Sequence, residues 1–226
     1  MKRILFIGLY LFINTLLFGQ SPNTWIDKAS IGGTAKTGYA SFVIGAKIYV
    51  ATGAITSSGV AVGTKELWEY DPITDAWTRK ADFPGTARYY AFGFSIGSKG
   101  YIGTGRDGNT SIASDFWEYN PATNTWSQKA DFPGGQRMSA FGITINNRGY
   151  AGGGVSNGTG GSVFGSYNND LYEYIPTSNT WVQKASFGSS GRMYITSFVI
   201  NTKGYVGLGA LESGSSCSNC ARTNDF

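Results

Sequence analysis

The sequence contains no histidine. That absence removes Ser-His-Asp and Cys-His nucleophile systems, the H-E-x-x-H zinc site and every imidazole-ligated metal from the chemistry open to these residues. Cysteine is nearly absent too, with only Cys217 and Cys220, in G-S-S-C-S-N-C-A-R. A zinc site needs four ligands, and one C-x-x-C without a second pair does not supply them. The Ser, Gly and Asn around the pair suggest a loop rather than the helix start of a thioredoxin-like redox motif. A small loop-stapling disulfide is the expected state, with free thiols and redox catalysis as the alternatives. No metal or other cofactor is expected. Charge is sparse at 14 %, and the formal net charge of +4 falls to +2 once Lys2 and Arg3 are set aside as part of a leader. The remaining Lys and Arg are scattered, so no nucleic-acid-binding stripe is expected.

Long apolar runs are also lacking, with one exception from Ile4 to Phe18, directly after Lys2 and Arg3. A charged start followed by such a run is the pattern of a secretory signal peptide, here residues 1–20. Fifteen residues rise about 22 Å as a helix, short of the roughly 30 Å hydrocarbon core, and Asn14 and Thr15 interrupt them. A cleaved leader is therefore expected rather than stable membrane insertion. Gly19 suits a cut near Gln20, although Leu17 is larger than the usual small-x-small pattern wants. The mature chain is expected to be secreted or at the cell surface, periplasmic or extracellular, where disulfides persist.

What is abundant is glycine, 33 residues, together with 15 % aromatics. That profile fits many short strands and turns and argues against disorder. Four tryptophans, Trp25, Trp77, Trp126 and Trp181, stand 52, 49 and 55 residues apart within a common phrase: N-T-W-I-D-K-A-S, D-A-W-T-R-K-A-D-F-P-G, N-T-W-S-Q-K-A-D-F-P-G and N-T-W-V-Q-K-A-S-F-G. Eleven positions after each Trp comes Lys36, Arg88, Arg137 or Arg192, and twenty-four after it comes Tyr49, Tyr101, Tyr150 or Tyr205. A second phrase follows at variable distance: E-L-W-E-Y-D-P, D-F-W-E-Y-N-P and D-L-Y-E-Y-I-P. Each unit divides into four strand-prone runs, in the second unit 89–96, 100–105, 116–119 and 125–129. About 50 residues are too few to bury a sheet face alone, so the repeat predicts stacked four-stranded antiparallel units.

These phrases in register resemble the kelch-repeat family, in its secreted form similar to the propeller of galactose oxidase. The resemblance covers residues 25–226 and implies an all-β fold, a kelch-type β-propeller of four-stranded antiparallel blades. The adjacent glycines that the family places after its second strand are complete only at Gly152-Gly153-Gly154. Elsewhere they read Ala51-Thr52-Gly53, Gly103-Thr104-Gly105 and Gly207-Leu208-Gly209. Whole blades are expected at about 37–85, 86–134 and 135–189, with a partial blade at 190–226 and residues 23–31 as the outer strand of the closing blade. Three whole and two partial blades do not close a ring, so the remaining blades are expected from further C-terminal sequence. An open series of blades that self-associates through its edges is the alternative.

Glu69, Glu118 and Glu173 each stand nineteen residues before Arg88, Arg137 and Arg192. A group present once per unit has a structural role, and a Glu–Arg pair is expected to tie neighbouring strands or blades. Trp25, Trp77, Trp126 and Trp181 are expected in the packing between blades, as are Trp68, Trp117 and Tyr172. Ligand recognition is expected where the units differ, in the loops after the second strand at 54–65, 106–114, 155–169 and 210–223. The candidates there are Arg106, Asp107, Asn109, Phe164, Tyr167 and Glu212. The D-G-N at residues 107–109 lacks the acidic positions of a calcium loop. No catalytic residue stands out. The expected function is a non-catalytic scaffold for an unidentified protein or glycan ligand. The alternative is the propeller portion of a carbohydrate-active enzyme, galactose-oxidase-like or a sugar epimerase, whose catalytic groups lie elsewhere. The copper site of that oxidase family needs histidines that this sequence lacks.

Overall fold

A computed structural model of the chain describes residues 24–107, 111–156, 165–188 and 190–211. The leader, Asn109, Phe164, Glu212, Cys217 and Cys220 lie outside the described residues. In chain order the strands are β1 (Ala40–Ile44), β2 (Lys47–Ala51), β3 (Ala54–Ser57), β4 (Val60–Gly63), β5 (Leu67–Asp71) and β6 (Ala76–Lys80). They continue with β7 (Phe92–Ile96), β8 (Lys99–Gly103), β9 (Phe116–Asn120), β10 (Thr125–Lys129), β11 (Phe141–Ile145) and β12 (Arg148–Gly152). The last are β13 (Leu171–Ile175), β14 (Thr180–Lys184), β15 (Arg192–Met193), β16 (Thr196–Ile200), β17 (Lys203–Gly207) and β18 (Ala210–Leu211). Three four-stranded antiparallel sheets result, β1-β2-β5-β6, β7-β8-β9-β10 and β11-β12-β13-β14, followed by the β16–β17 hairpin. The fold is all-β, and the expected four-stranded units are present. Residues 54–65, expected as a loop, contain the extra β3–β4 hairpin.

Alternation and turn chemistry explain these elements. In β7, Phe92, Phe94 and Ile96 are buried while Gly93 and Ser95 between them are less so, the period-two pattern of a sheet with one face in the core. The β11–β12 turn is Asn146-Asn147, both at positive φ, the backbone that a tight hairpin requires. First strands of successive sheets lie side by side: β1 against β7, β7 against β11 and β11 against β16. The core fills the spaces between sheets. Phe42, Tyr49 and Leu67 of the first sheet pack with Ile102 and Tyr119 of the second, and Phe94, Tyr101 and Phe116 of the second with Ala151 and Tyr174 of the third.

The recurring phrases act as a hook between units. Trp77, Trp126 and Trp181 donate Nε1–H to the carbonyls of Ala29, Ala81 and Ala130, at 2.8, 3.0 and 2.9 Å. Those alanines belong to the K-A of the preceding phrase, and their N–H groups donate back to Oδ1 of Asp75, Asn124 and Asn179. The same oxygen accepts from Tyr70, Tyr119 and Tyr174 of E-Y. Asp75, Asn124 and Asn179 have φ of 51°, 54° and 53°, a left-handed turn geometry that Asn and Asp tolerate.

Two further expectations change. The run expected from Tyr89 becomes strand only at Phe92, because Tyr90 takes a left-handed backbone that cannot continue a strand. Residues 24–31 form no strand and Trp25 stands 99 % exposed, because no described strand pairs with that segment.

Candidate functional site

The framework ion pairs differ from the expected Glu–Arg pairing. Arg88, 1 % exposed, holds Asp115 through both terminal nitrogens and donates to the Thr104 carbonyl at 2.9 Å. Arg137 holds Asp170 at 2.6 Å and the Gly153 carbonyl at 3.0 Å. Lys36 and Glu66 make the same link in the first unit, the shorter cation matched by the longer acid. Arg192 is buried in the corresponding place. The arginines therefore take the first acid of the second phrase, three residues before the glutamates. Glu69, Glu118 and Glu173 lie directly opposite Tyr49, Tyr101 and Tyr150 on the neighbouring strand. Tyr49 and Tyr101 donate to Glu69 and Glu118 at 2.5 and 2.6 Å. The lysine of W-x-x-K reaches the same acids, Lys80 to Glu69, Lys129 to Glu118 and Lys184 to Glu173. Burial pushes Glu69 up, but hydrogen bonds from Lys47 and Tyr49 and the charges of Lys80 and Lys47 outweigh it and hold the carboxyl below its ordinary value. Glu69, Glu118 and Glu173 thus sit in recurring structural contacts, once per sheet.

The strand-two ends assemble the loop face. At Thr52-Gly53, Thr104-Gly105, Gly153-Gly154 and Leu208-Gly209 both residues have positive φ, with the second glycine at 100°, 98°, 79° and 101°. That glycine also lies close to a carbonyl of the segment entering its sheet. A Cβ on Gly105 would stand 3.0 Å from the Tyr89 oxygen, and one on Gly154 2.5 Å from that of Met138. The loops beyond then pair with those entry segments, Tyr89 with Arg106, Met138 with Val155, and β15 with β18. Ile112, Met138, Val155, Met193 and Ala210 form a small apolar core beneath them, with Tyr90 and Tyr167 packed on it.

Above this core lies a row of left-handed residues that the sequence reading missed. Gly38, Tyr90, Ser139 and Tyr194 stand thirteen positions after the four tryptophans, with φ of 60°, 57°, 56° and 55°. Tyr90 N–H donates to the Gly38 carbonyl at 2.6 Å, and Ser139 N–H to that of Tyr90 at 2.9 Å, so the row runs from sheet to sheet. The Tyr90 ring lies where a Gly38 side chain would be, at 2.8 Å from an added Cβ. The Tyr194 ring meets Tyr90 edge-on at 5.7 Å, and Tyr90 meets Tyr89 at 5.0 Å. The Arg106 guanidinium sits over the Tyr89 ring at 5.5 Å. Burial raises the Tyr89 pKa against the opposing charge of Arg106.

Of the expected site residues, Arg106 thus lies beside the row, over Tyr89. Asp107 closes its own loop by accepting from Ser111 N–H at 3.0 Å. Tyr167 supports the row from below through its bridge to Val155. Tyr194 is 49 % exposed, whereas Ser139 is 8 % exposed and its hydroxyl has no hydrogen-bond partner among the described residues. The signal that would have found the row is variation inside the half-repeat whose length never changes: Gly, Tyr, Ser and Tyr at one fixed offset from Trp.

No family model matches this sequence, and no curated protein does. Among solved structures, one described as "Structure of YjhT" superposes with a TM-score of 0.66 at 18 % identity, over 81 % of this chain and 60 % of its own. The likeness is one of fold, and the chain spans about 60 % of the length of that structure.

Proposed function

We propose that this chain is part of a secreted kelch-type β-propeller, exported by residues 1–20, that works as a scaffold binding a protein or glycan on its loop face. In this reading the three sheets are blades, their first strands line the axis, and further sheets of the same repeat complete the ring. The observation that carries the binding site is the row of Tyr90, Ser139 and Tyr194. A left-handed backbone costs a non-glycine residue roughly 1–2 kcal/mol, and for a bulky side chain it is rare. The first unit keeps glycine at this position, so the framework does not require a ring there. Strain maintained at aromatic, partly exposed positions is the mark of a site whose shape is used. Flat rings beside a guanidinium suit the apolar faces and hydroxyls of a sugar, or the side chains of a peptide.

Tyr194→Gly tests this. The variant is expected to melt at or slightly above the parent temperature, because relief of the backbone strain offsets the lost ring contact. Capture by the oligosaccharides or peptides that the parent retains on immobilised arrays should fall at least tenfold. Unchanged capture, or a melting temperature several degrees lower, would make the ring a framework element and refute the site.

A further inference from the structure

Neighbouring sheets interlock at one recurring point. By strand register Ile48, Gly100, Gly149 and Gly204 hold the same place, paired with Val43, Ser95, Thr144 and Val199. A Cβ added to Gly100 would overlap the ring of Phe42, and one on Gly149 would overlap Phe94. One on Gly204 would lie 2.8 Å from Ile143 and Ile145. At three interfaces, then, a bulky side chain of the preceding sheet rests on bare backbone of the next.

The first sheet departs from this rule. Ile48, 39 % exposed, stands in the glycine place and walls a groove of about 480 Å³ together with Tyr39, Val50, Tyr70 and Trp77. Val50, Tyr70 and Trp77 correspond by register to Ile102, Tyr119 and Trp126, the residues of the second sheet that pack around Phe42 and Tyr49. The groove is therefore the next face in the established series, with the seat of the phenylalanine already filled. On the last described hairpin, Phe198 and Tyr205 stack at 5.2 Å and 13°, as Phe42 and Tyr49 do at 5.2 Å and 10°. They are 41 % and 36 % exposed. Extending the register of the other interfaces by one step would set Phe198 against Ile48, in the place where those interfaces carry glycine.

We propose that the groove on the first sheet receives a sheet of the same repeat carrying Gly, Ala or Ser where Phe42, Phe94 and Phe198 stand, and that Ile48 bars the chain's own Phe198 end from docking there. The bar has a physical purpose. A head-to-tail contact between copies repeats from copy to copy, into a ring where the rotation closes and an open filament where it does not, whereas forcing two bulky groups into one seat is destabilising.

The test is the association constant of the 226-residue chain, measured by sedimentation. Phe198→Ala converts the far end into the proposed occupant, and Ile48→Gly restores the bare seat. Each single variant is expected to associate head to tail at least tenfold more strongly than the parent. The double variant leaves a void at the contact and should associate more weakly than either single variant. A merely sticky apolar surface gives the opposite sign, since both substitutions remove apolar area. Single variants that associate no more than the parent would overturn the proposal. Both side chains are partly exposed, and circular dichroism checks each fold; if Ile48→Gly perturbs β2, Phe198→Ala alone decides the sign. The proposal stands apart from the tyrosine row, so its failure leaves the binding reading untouched.

Discussion

Arg88→Met is expected to cost on the order of 3–5 kcal/mol, the range for breaking a buried ion pair from one side. For a chain of this size that lowers the melting temperature by roughly 10 °C. The loss does not come from volume, since methionine fills much of the same space. It comes from the groups left behind. Asp115 loses both guanidinium donors and, among the described residues, keeps only the Trp117 Nε1–H at 2.7 Å, and the buried Thr104 carbonyl loses its 2.9 Å donor. The guanidinium also lies 4.8 Å from the Phe83 ring centre, a contact between two sheets' segments that methionine replaces only in part. Adding Asp115→Leu should recover a substantial fraction of the stability, because it removes the orphaned charge. Lys36→Met at the equivalent place should cost less, since Glu66 retains Arg79 and Trp68 as donors. Urea denaturation measures all three, and an Arg88→Met loss below about 1 kcal/mol would contradict the argument.

Above pH 10 the protein is expected to lose stability steeply. Tyr49, Tyr101, Tyr119 and Tyr174 are each at most 2 % exposed. Burial raises all four pKa values above the ordinary 10, with Tyr119 and Tyr174 pushed up to about 12 and the other two further, helped by hydrogen bonds to Glu69 and Glu118. Their folded-state pKa is raised, so their contribution is complete below pH 10 and is lost as pH rises from there through the folded values. Each tyrosine that keeps its proton only when folded costs about 1.4 kcal/mol per pH unit in that window. Four together remove on the order of 5 kcal/mol in one unit, comparable with the whole stability of many domains. Tyrosinate absorbance and far-ultraviolet circular dichroism followed together check this. The four rings should ionise in one cooperative step with the loss of structure, and gradual ionisation near pH 10 with the sheets intact would refute it.

Much of the framework was legible because each framework residue recurs. The N-T-W and K-A phrases are two halves of one hook, and the constant two-residue step from Asn or Asp to Trp reflects two hydrogen bonds to one alanine. The Glu–Arg pairing was misread for a geometric reason. Equal sequence separation made that pair look coupled, whereas strand register places Glu118 opposite Tyr101 and brings Lys129 to it, leaving Arg88 for Asp115. A one-dimensional spacing cannot show which face of a strand a side chain takes; Asp115, just before β9, accepts from Trp117, whereas Glu118 accepts from Tyr101. The candidate site was only half visible. Arg106 and Tyr167 lie in loops of variable length, where diversity draws attention, but Tyr90 and Tyr194 hide inside a segment of constant length. Their left-handed backbone, which marks them, is a property of three-dimensional context.

The hook between units also orders events in time. Each Trp–Ala bond joins residues 45 to 51 positions apart and always reaches back to the unit made before it. A sheet leaving the ribosome or an export channel can form its own hairpins at once, but its trailing edge is pinned only when the following tryptophan has emerged. Assembly therefore proceeds like a zip fastener, one tooth behind synthesis. Amide exchange should be slowest in the middle sheet, which is hooked on both sides, and fastest in the β16–β17 hairpin.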